Sequence, residues 1–169
     1  MSLSIEKEIV VDGTSAQVWE VMVERFEHVA DWASGVTSSG PNPAATNIVN
    51  GAPTGGRLCD VPGFGELDER LVMHDPEQRR FAYTADAEKI PGFVQNLRND
   101  WELVPKGSQT LVKMRLSADV SGPLGAIMKP MMRRKFDKAV AGIGADLKSW
   151  IETGKVSPIK ARELSKASR

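Results

Sequence analysis

The chain has 169 residues, 41% hydrophobic and 26% charged, with 22 basic and 22 acidic side chains and a formal net charge of zero. That length suits one domain, and a core of this size buries roughly 70% of the unfolded surface without staples. Balanced charge argues against a nucleic-acid binder, the composition argues against disorder, and a single cysteine, Cys59, rules out an internal disulfide. Glu6, Lys7 and Glu8 interrupt the first apolar residues, so Met1–Val11 does not read as a signal peptide. No run approaches ~18 apolar residues, so no integral membrane association is expected. The default expectation is a cytoplasmic protein.

Leu3, Ile5, Ile9 and Val11 alternate with polar residues and predict a strand over 3–11. Asp12-Gly13-Thr14 breaks it, and Thr14 or Ser15 can cap a helix over 15–27 whose apolar side chains are Val18, Met22 and Phe26. A second short helix is expected over 28–33. Residues 34–56 are rich in Gly, Pro, Ser and Asn and predict a short strand near Val36, then a loop, with Ile48-Val49 as a strand fragment. Strands follow at 57–61, 66–73, 79–85, 93–104 and 110–120, separated by Pro62-Gly63-Phe64-Gly65, Asp75-Pro76, Pro91-Gly92 and Pro105-Lys106-Gly107. Leu67, Glu69, Leu71 and Met73 are assigned to one face. Short turns between neighbours imply an antiparallel sheet.

After Ser121-Gly122-Pro123, apolar residues recur at helical spacing from Ile127 through Met131, Phe136, Val140, Ile143 and Leu147 to Ile151. They predict a helix of about 25 residues or more, with Pro130 kinking or separating its first turn and Gly154 ending it. Residues 154–169 carry several basic side chains and no apolar stripe, and are expected to form a mobile tail beyond a domain spanning 1–153.

A long sheet curls because twist accumulates. A long helix with one apolar stripe must lay that stripe on the concave face. The expected class is therefore α+β: six to seven antiparallel strands around a C-terminal helix, with an apolar cavity between them. This order resembles the START/Bet v 1-like (SRPBCC) superfamily, the helix-grip fold that includes polyketide cyclase/dehydrase-type proteins. The resemblance is carried by Ile9–Trp19 (IVVDGTSAQVW), Glu69-Arg70-Leu71 followed by Asp75, Asn96 in the strand ending at Trp101, and Phe136 in the final helix. It implies a cavity for a small hydrophobic molecule, lipid- or polyketide-like.

Strand alternation proposes the cavity wall: Cys59, Val61, Leu67, Glu69, Leu71, Phe81, Tyr83, Leu97, Asn99, Trp101, Val112, Met114 and Leu116, closed by Phe136 and Val140 of the helix. Glu69 is the candidate general acid/base or ligand hydrogen-bonding group, since an acid on an apolar face needs a partner or a proton. The competing reading pairs it with Arg57 on the neighbouring strand or leaves it at a wet rim. Tyr83 and Asn99 either orient a polar ligand group or belong to a satisfied core network. Trp101 either stacks on a ligand ring or is a core aromatic. Cys59 reads as a small buried hydrophobe.

Phe64, between Gly63 and Gly65, is either a lid or part of an ordinary hairpin turn. Similar loops gate the plant abscisic-acid receptors of this superfamily, but Lys89-Ile90-Pro91-Gly92 lacks the histidine of their second loop, so hormone recognition is not carried over. His28 and His74 have no Cys or His at ligand spacing, so neither a metal nor another cofactor is expected. Arg133-Arg134-Lys135 and Lys138 form a basic patch suited to anionic headgroups, or a solvated helix face. Three functions compete: a carrier, a cyclase/dehydratase using Glu69, and a ligand-gated interaction module. A homo-oligomer is compatible with each.

Overall fold

The computed structural model describes residues 1–168. Alternation at the N-terminus produces β1 (Ser2–Val11), which buries Leu3, Ile5 and Val11. Thr14 caps α1 (Ser15–Trp19): its hydroxyl accepts from Gln17 N–H at 3.3 Å, while Gln17 Oε1 accepts from Thr14 N–H at 2.8 Å. The single helix expected over 15–27 stays α-helical only to Trp19. It widens into a π-helical turn at Glu20–Glu24, closed by Arg25 N–H to Glu20 O at 2.9 Å, and then tightens to 3₁₀ at Phe26–Asp31.

The strand expected near Val36 lies two residues later, as β2 (Ser38–Pro41), and Ile48-Val49 forms no strand. The remaining strands are β3 (Gly56–Val61), β4 (Gly65–Asp75), β5 (Arg80–Ala87), β6 (Val94–Lys106) and β7 (Gln109–Val120). All seven form one curved antiparallel sheet in the order β1-β7-β6-β5-β4-β3-β2. The first strand therefore returns to pair with the last, Leu3 opposite Ala118 and Ile9 opposite Val112. The outward face carries charge rows such as Arg98–Asp100 at 2.8 Å and Lys113–Glu102 at 3.4 Å.

Helix α2 (Gly122–Thr153) crosses the inner face and stops at Gly154, whose φ of 66° is the left-handed conformation glycine adopts freely. Gly144 permits the close approach: a Cβ there would meet Met114 Cε at 3.1 Å. Pro130 lies inside the helix, where it has no N–H for the carbonyl of Ala126.

The mobile tail expected from composition is instead largely helical. Ser157 caps α3 (Pro158–Ala167). Lys160, only 2% exposed, donates from Nζ to Val36 O at 2.7 Å, and Glu163 accepts from Gly35 N–H at 2.9 Å. The buried Asp146 of α2 accepts from Ser34 N–H at 2.7 Å and from the Ser157 hydroxyl. Basic composition suggested a solvated tail, but here one lysine and one glutamate are spent on loop backbone. Arg169, the last residue of that expected tail, lies outside the described residues.

Candidate ligand-binding site

The wall proposed from alternation comes together on the inner face. Register places Cys59 opposite Leu67, Tyr83 opposite both Leu71 and Asn99, and Trp101 between Phe81 and Met114. Val112, Met114 and Leu116 join them, and Phe136 and Val140 pack from α2. One expected face assignment changes. A bulge between Leu71 and Met73 inserts an extra residue, so Met73 pairs with Ala82 on the outer face while His74 pairs with Phe81 and turns inward. Spacing by two cannot reveal a bulge, and His74 was therefore missed.

This wall is not a uniformly open chamber. Phe81, Leu71, Val112, Met114, Cys59, Tyr83, Trp101 and Val140 are buried, whereas Val61, Phe64, Leu67, Leu97, Asn99 and Phe136 remain half-exposed. The accessible part of the wall thus lies towards one end, where the Phe64 turn, the loop before β6 and the start of α2 meet. There Gly65 approaches the Lys89 side chain, and Gly125 lies against Phe93. Two depressions, of about 520 and 250 Å³, lie on the outer side of α2 and on the outer sheet face, not between sheet and helix. The wall's own rings account for the filling: Phe81 stacks with Trp101 at 6.0 Å and with Tyr83 at 6.4 Å.

The polar members divide into partnered and unpartnered groups. Glu69 and Arg57 form a buried ion pair, Nε to Oε2 at 2.5 Å. Arg57 also donates to Phe26 O at 2.7 Å and lies 4.0 Å from the Phe26 ring centroid and 5.2 Å from that of Tyr83. Burial, the largest single influence, would lower the Arg57 pKa, but Glu69, Tyr83 and Cys59 together outweigh it and the net shift is upward. Cys59 Sγ lies 3.6 Å from the same Glu69 oxygen. Burial pushes its pKa up to about 12, against the pull of Arg57 and with the help of Glu69. Tyr83 is also shifted upward, by burial first and Glu69 second.

Trp101 Nε1, by contrast, is buried with no partner at hydrogen-bonding geometry, although it lies close enough to the Tyr83 hydroxyl to oppose the upward shift there. His74 Nε2 is likewise unpartnered. Its Nδ1 lies 3.0 Å from Asn50 O, which can only accept, so Nδ1 carries a proton and Nε2 is left without a partner. Buried polar groups left this way are uncommon. Among the described residues, no cluster of three or more His, Cys, Asp or Glu is suited to a metal, and no helix is long and apolar enough to cross a membrane.

Comparison with known proteins agrees with this architecture. A START superfamily protein from Mycobacterium smegmatis superposes with a TM-score of 0.68 at 14% identity, covering 90% of this chain and 99% of that one. Truncated norcoclaurine synthase from Thalictrum flavum gives 0.63 at 15% identity, covering 92% and 96%. Ara h 8.0201 gives 0.60 at 14% identity, covering 88% and 99%. At such identities these similarities show the helix-grip fold alone. No curated protein matches the chain. The sequence profile described as polyketide cyclase / dehydrase and lipid transport matches residues 2–151, the whole sheet and all but the end of α2, and the chain belongs to that family.

Proposed function

We propose that the protein binds a small, mostly apolar molecule bearing one hydrogen-bond acceptor, which enters past Phe64 and Phe136 and accepts from Trp101 Nε1. The observation that carries this reading is that buried indole N–H, a donor left without a partner among stacked rings. Leaving a donor unsatisfied costs roughly 1–3 kcal/mol, and an acceptor on a ligand would recover that. Asn99, half-exposed and opposite Tyr83, is the polar side chain nearest the accessible end in the same register. The covered inner wall requires the start of α2 to move outward before a ligand is admitted. The fold family supports an apolar guest.

A cyclase or dehydratase reading assigns proton transfer to Glu69. Binding is favoured over it because Glu69 is committed through Oε2 to Arg57 and Cys59 in a buried ion pair, which leaves only Oε1 for a substrate proton.

Native mass spectrometry of the purified protein, together with titration by 1-anilinonaphthalene-8-sulfonate, tests the binding reading. Retained non-covalent mass or saturable dye fluorescence is expected, and Trp101→Phe should weaken affinity for carbonyl-bearing competitors about tenfold while leaving the fold intact. A bare mass with no saturable dye binding would overturn it. Competitor affinity indifferent to Trp101→Phe would remove the anchor.

A further inference from the structure

The outward side of α2's first half sets exposed aliphatic side chains beside a run of cations. Leu124, Ile127 and Met131 are 58%, 75% and 44% exposed. At 3.6 residues per turn they share roughly 100° of helix arc with Arg134, Lys135 and Lys138. The buried residues of the segment, Gly125, Met132 and Val140, point elsewhere, into the core. One continuous face therefore begins apolar and ends cationic, and Pro130, Met131, Arg134, Lys135 and Lys138 line the depression along it.

The charges on this face are uncompensated. Residues 122–138 contain Lys129, Arg133, Arg134, Lys135 and Lys138 but a single acid, Asp137, in a chain of zero net charge. Asp137 is already taken by Lys7 of β1 at 2.7 Å. Among the described residues, Arg133, Arg134, Lys135 and Lys138 form no ion pair, whereas Arg98, Lys113 and Arg115 of the outer sheet face are paired with acids.

We infer that this face docks on an anionic phospholipid surface, inserting Leu124, Ile127 and Met131 among the acyl chains and setting Arg134, Lys135 and Lys138 against phosphates. Exposed aliphatic side chains next to unpaired cations suit a headgroup–acyl boundary, which offers anionic phosphate above apolar chains. Nucleic acid would satisfy the cations and leave the aliphatic side chains in water. A second copy meeting this face in two-fold symmetry would bring like charges together. The same half-helix carries Met128, Met132 and Phe136 on its inner side, so docking would bring the accessible end of the wall to the lipid surface. The inference stands apart from the ligand-binding reading, because docking needs no occupied interior.

Flotation of the full chain with vesicles of phosphatidylcholine alone, and of phosphatidylcholine with phosphatidylglycerol, tests it. Binding is expected only to the anionic vesicles and should weaken with added salt. Combined Arg134→Glu, Lys135→Glu and Lys138→Glu should lower the partition coefficient about a hundredfold, at roughly fivefold per cation. Ile127→Ser with Met131→Ser should lower it about tenfold. Arg162→Glu with Lys166→Glu on α3 should leave it within about twofold, and circular dichroism checks that each variant folds. Three outcomes would overturn the inference: no flotation with either vesicle, equal binding to both, or binding untouched by the charge reversal. Concentration-dependent dimerisation abolished by Ile127→Ser and Met131→Ser would assign the face to a second copy instead.

Discussion

The two ends of α2 are held in opposite ways. At the C-terminal end Leu147 is fully buried, Asp146 accepts from Ser34 and Ser157, Lys148 Nζ donates to Val10 O at 2.6 Å, and α3 closes over the Ser34–Val36 backbone. At the N-terminal end Ser121 gives no side-chain cap, Pro130 interrupts the hydrogen-bond ladder, and aliphatic side chains face outward. The cores repeat the contrast. A large cluster runs from Val11 and Phe81 to Leu147, while a small one, Leu3, Val94, Ala118, Val120 and Met132, sits under the first turns of α2. Phe136 and Leu97 touch both. One end anchors the fold; the other is where the sheet and helix can part with the least loss of contact.

The largest effect should follow from breaking the ion pair in the larger cluster. Glu69→Ala leaves the Arg57 guanidinium buried against Phe26 and Tyr83 with no counter-ion. Removing one partner of a buried pair costs about 3–5 kcal/mol, so urea denaturation should show a loss of that size. A loss under about 1 kcal/mol would mean that water reaches the pair and that this part of the wall is not closed. Somewhat smaller is Asp146→Ala at the anchored end, which deprives Ser34 and Ser157 of their acceptor. About 2–4 kcal/mol should be lost, and hydrogen exchange should rise first in residues 34–36 and 157–163. Uniform exchange across both ends of α2 would erase the contrast between them.

Much of the inner face was legible because a half-buried strand alternates with a period of two. Trp101, Met114 and Leu116 could be placed inward from spacing alone, and Arg57 could be named as the partner of Glu69 because the two strands are joined by a short turn. What escaped depends on events that alternation does not encode. The bulge at Val72 exchanges Met73 for His74. The π-helical turn at Glu20–Glu24 keeps the apolar spacing of an α-helix while changing its pitch. Burial of Lys160 requires Val36 O, more than a hundred residues away in sequence. How far the cavity is filled depends on ring packing among Phe81, Tyr83 and Trp101, which a list of wall residues does not contain.

Pro130 offers a way to convert one end of α2 into the other. Pro130→Ala restores an N–H to the helix interior, facing the carbonyl of Ala126. Stability should rise by about 1–2 kcal/mol, with slower hydrogen exchange confined to residues 122–136. If the start of α2 opens to admit ligand, dye association should slow as the segment stiffens. Greater stability with unchanged association would place access elsewhere.

The smallest structural disturbance uses Cys59, beside the ion pair. Its pKa lies at about 12 rather than the ordinary 9.0, because burial disfavours the thiolate, with Arg57 opposing and Glu69 reinforcing the shift. A group whose pKa is raised on folding adds stability that is complete below its unfolded pKa. That contribution should therefore be lost as pH climbs from about 9 towards about 12, and Tyr83, shifted the same way, adds to the decline. The same shift predicts alkylation by iodoacetamide at pH 8 about a thousandfold slower than that of a free cysteine, rising to the ordinary rate in denaturant. Labelling that accelerates in Glu69→Ala without denaturant would show that the ion pair, and not the overall fold, keeps this part of the wall closed. Labelling that accelerates only on global unfolding would make the anchored end of α2 the element that shields it.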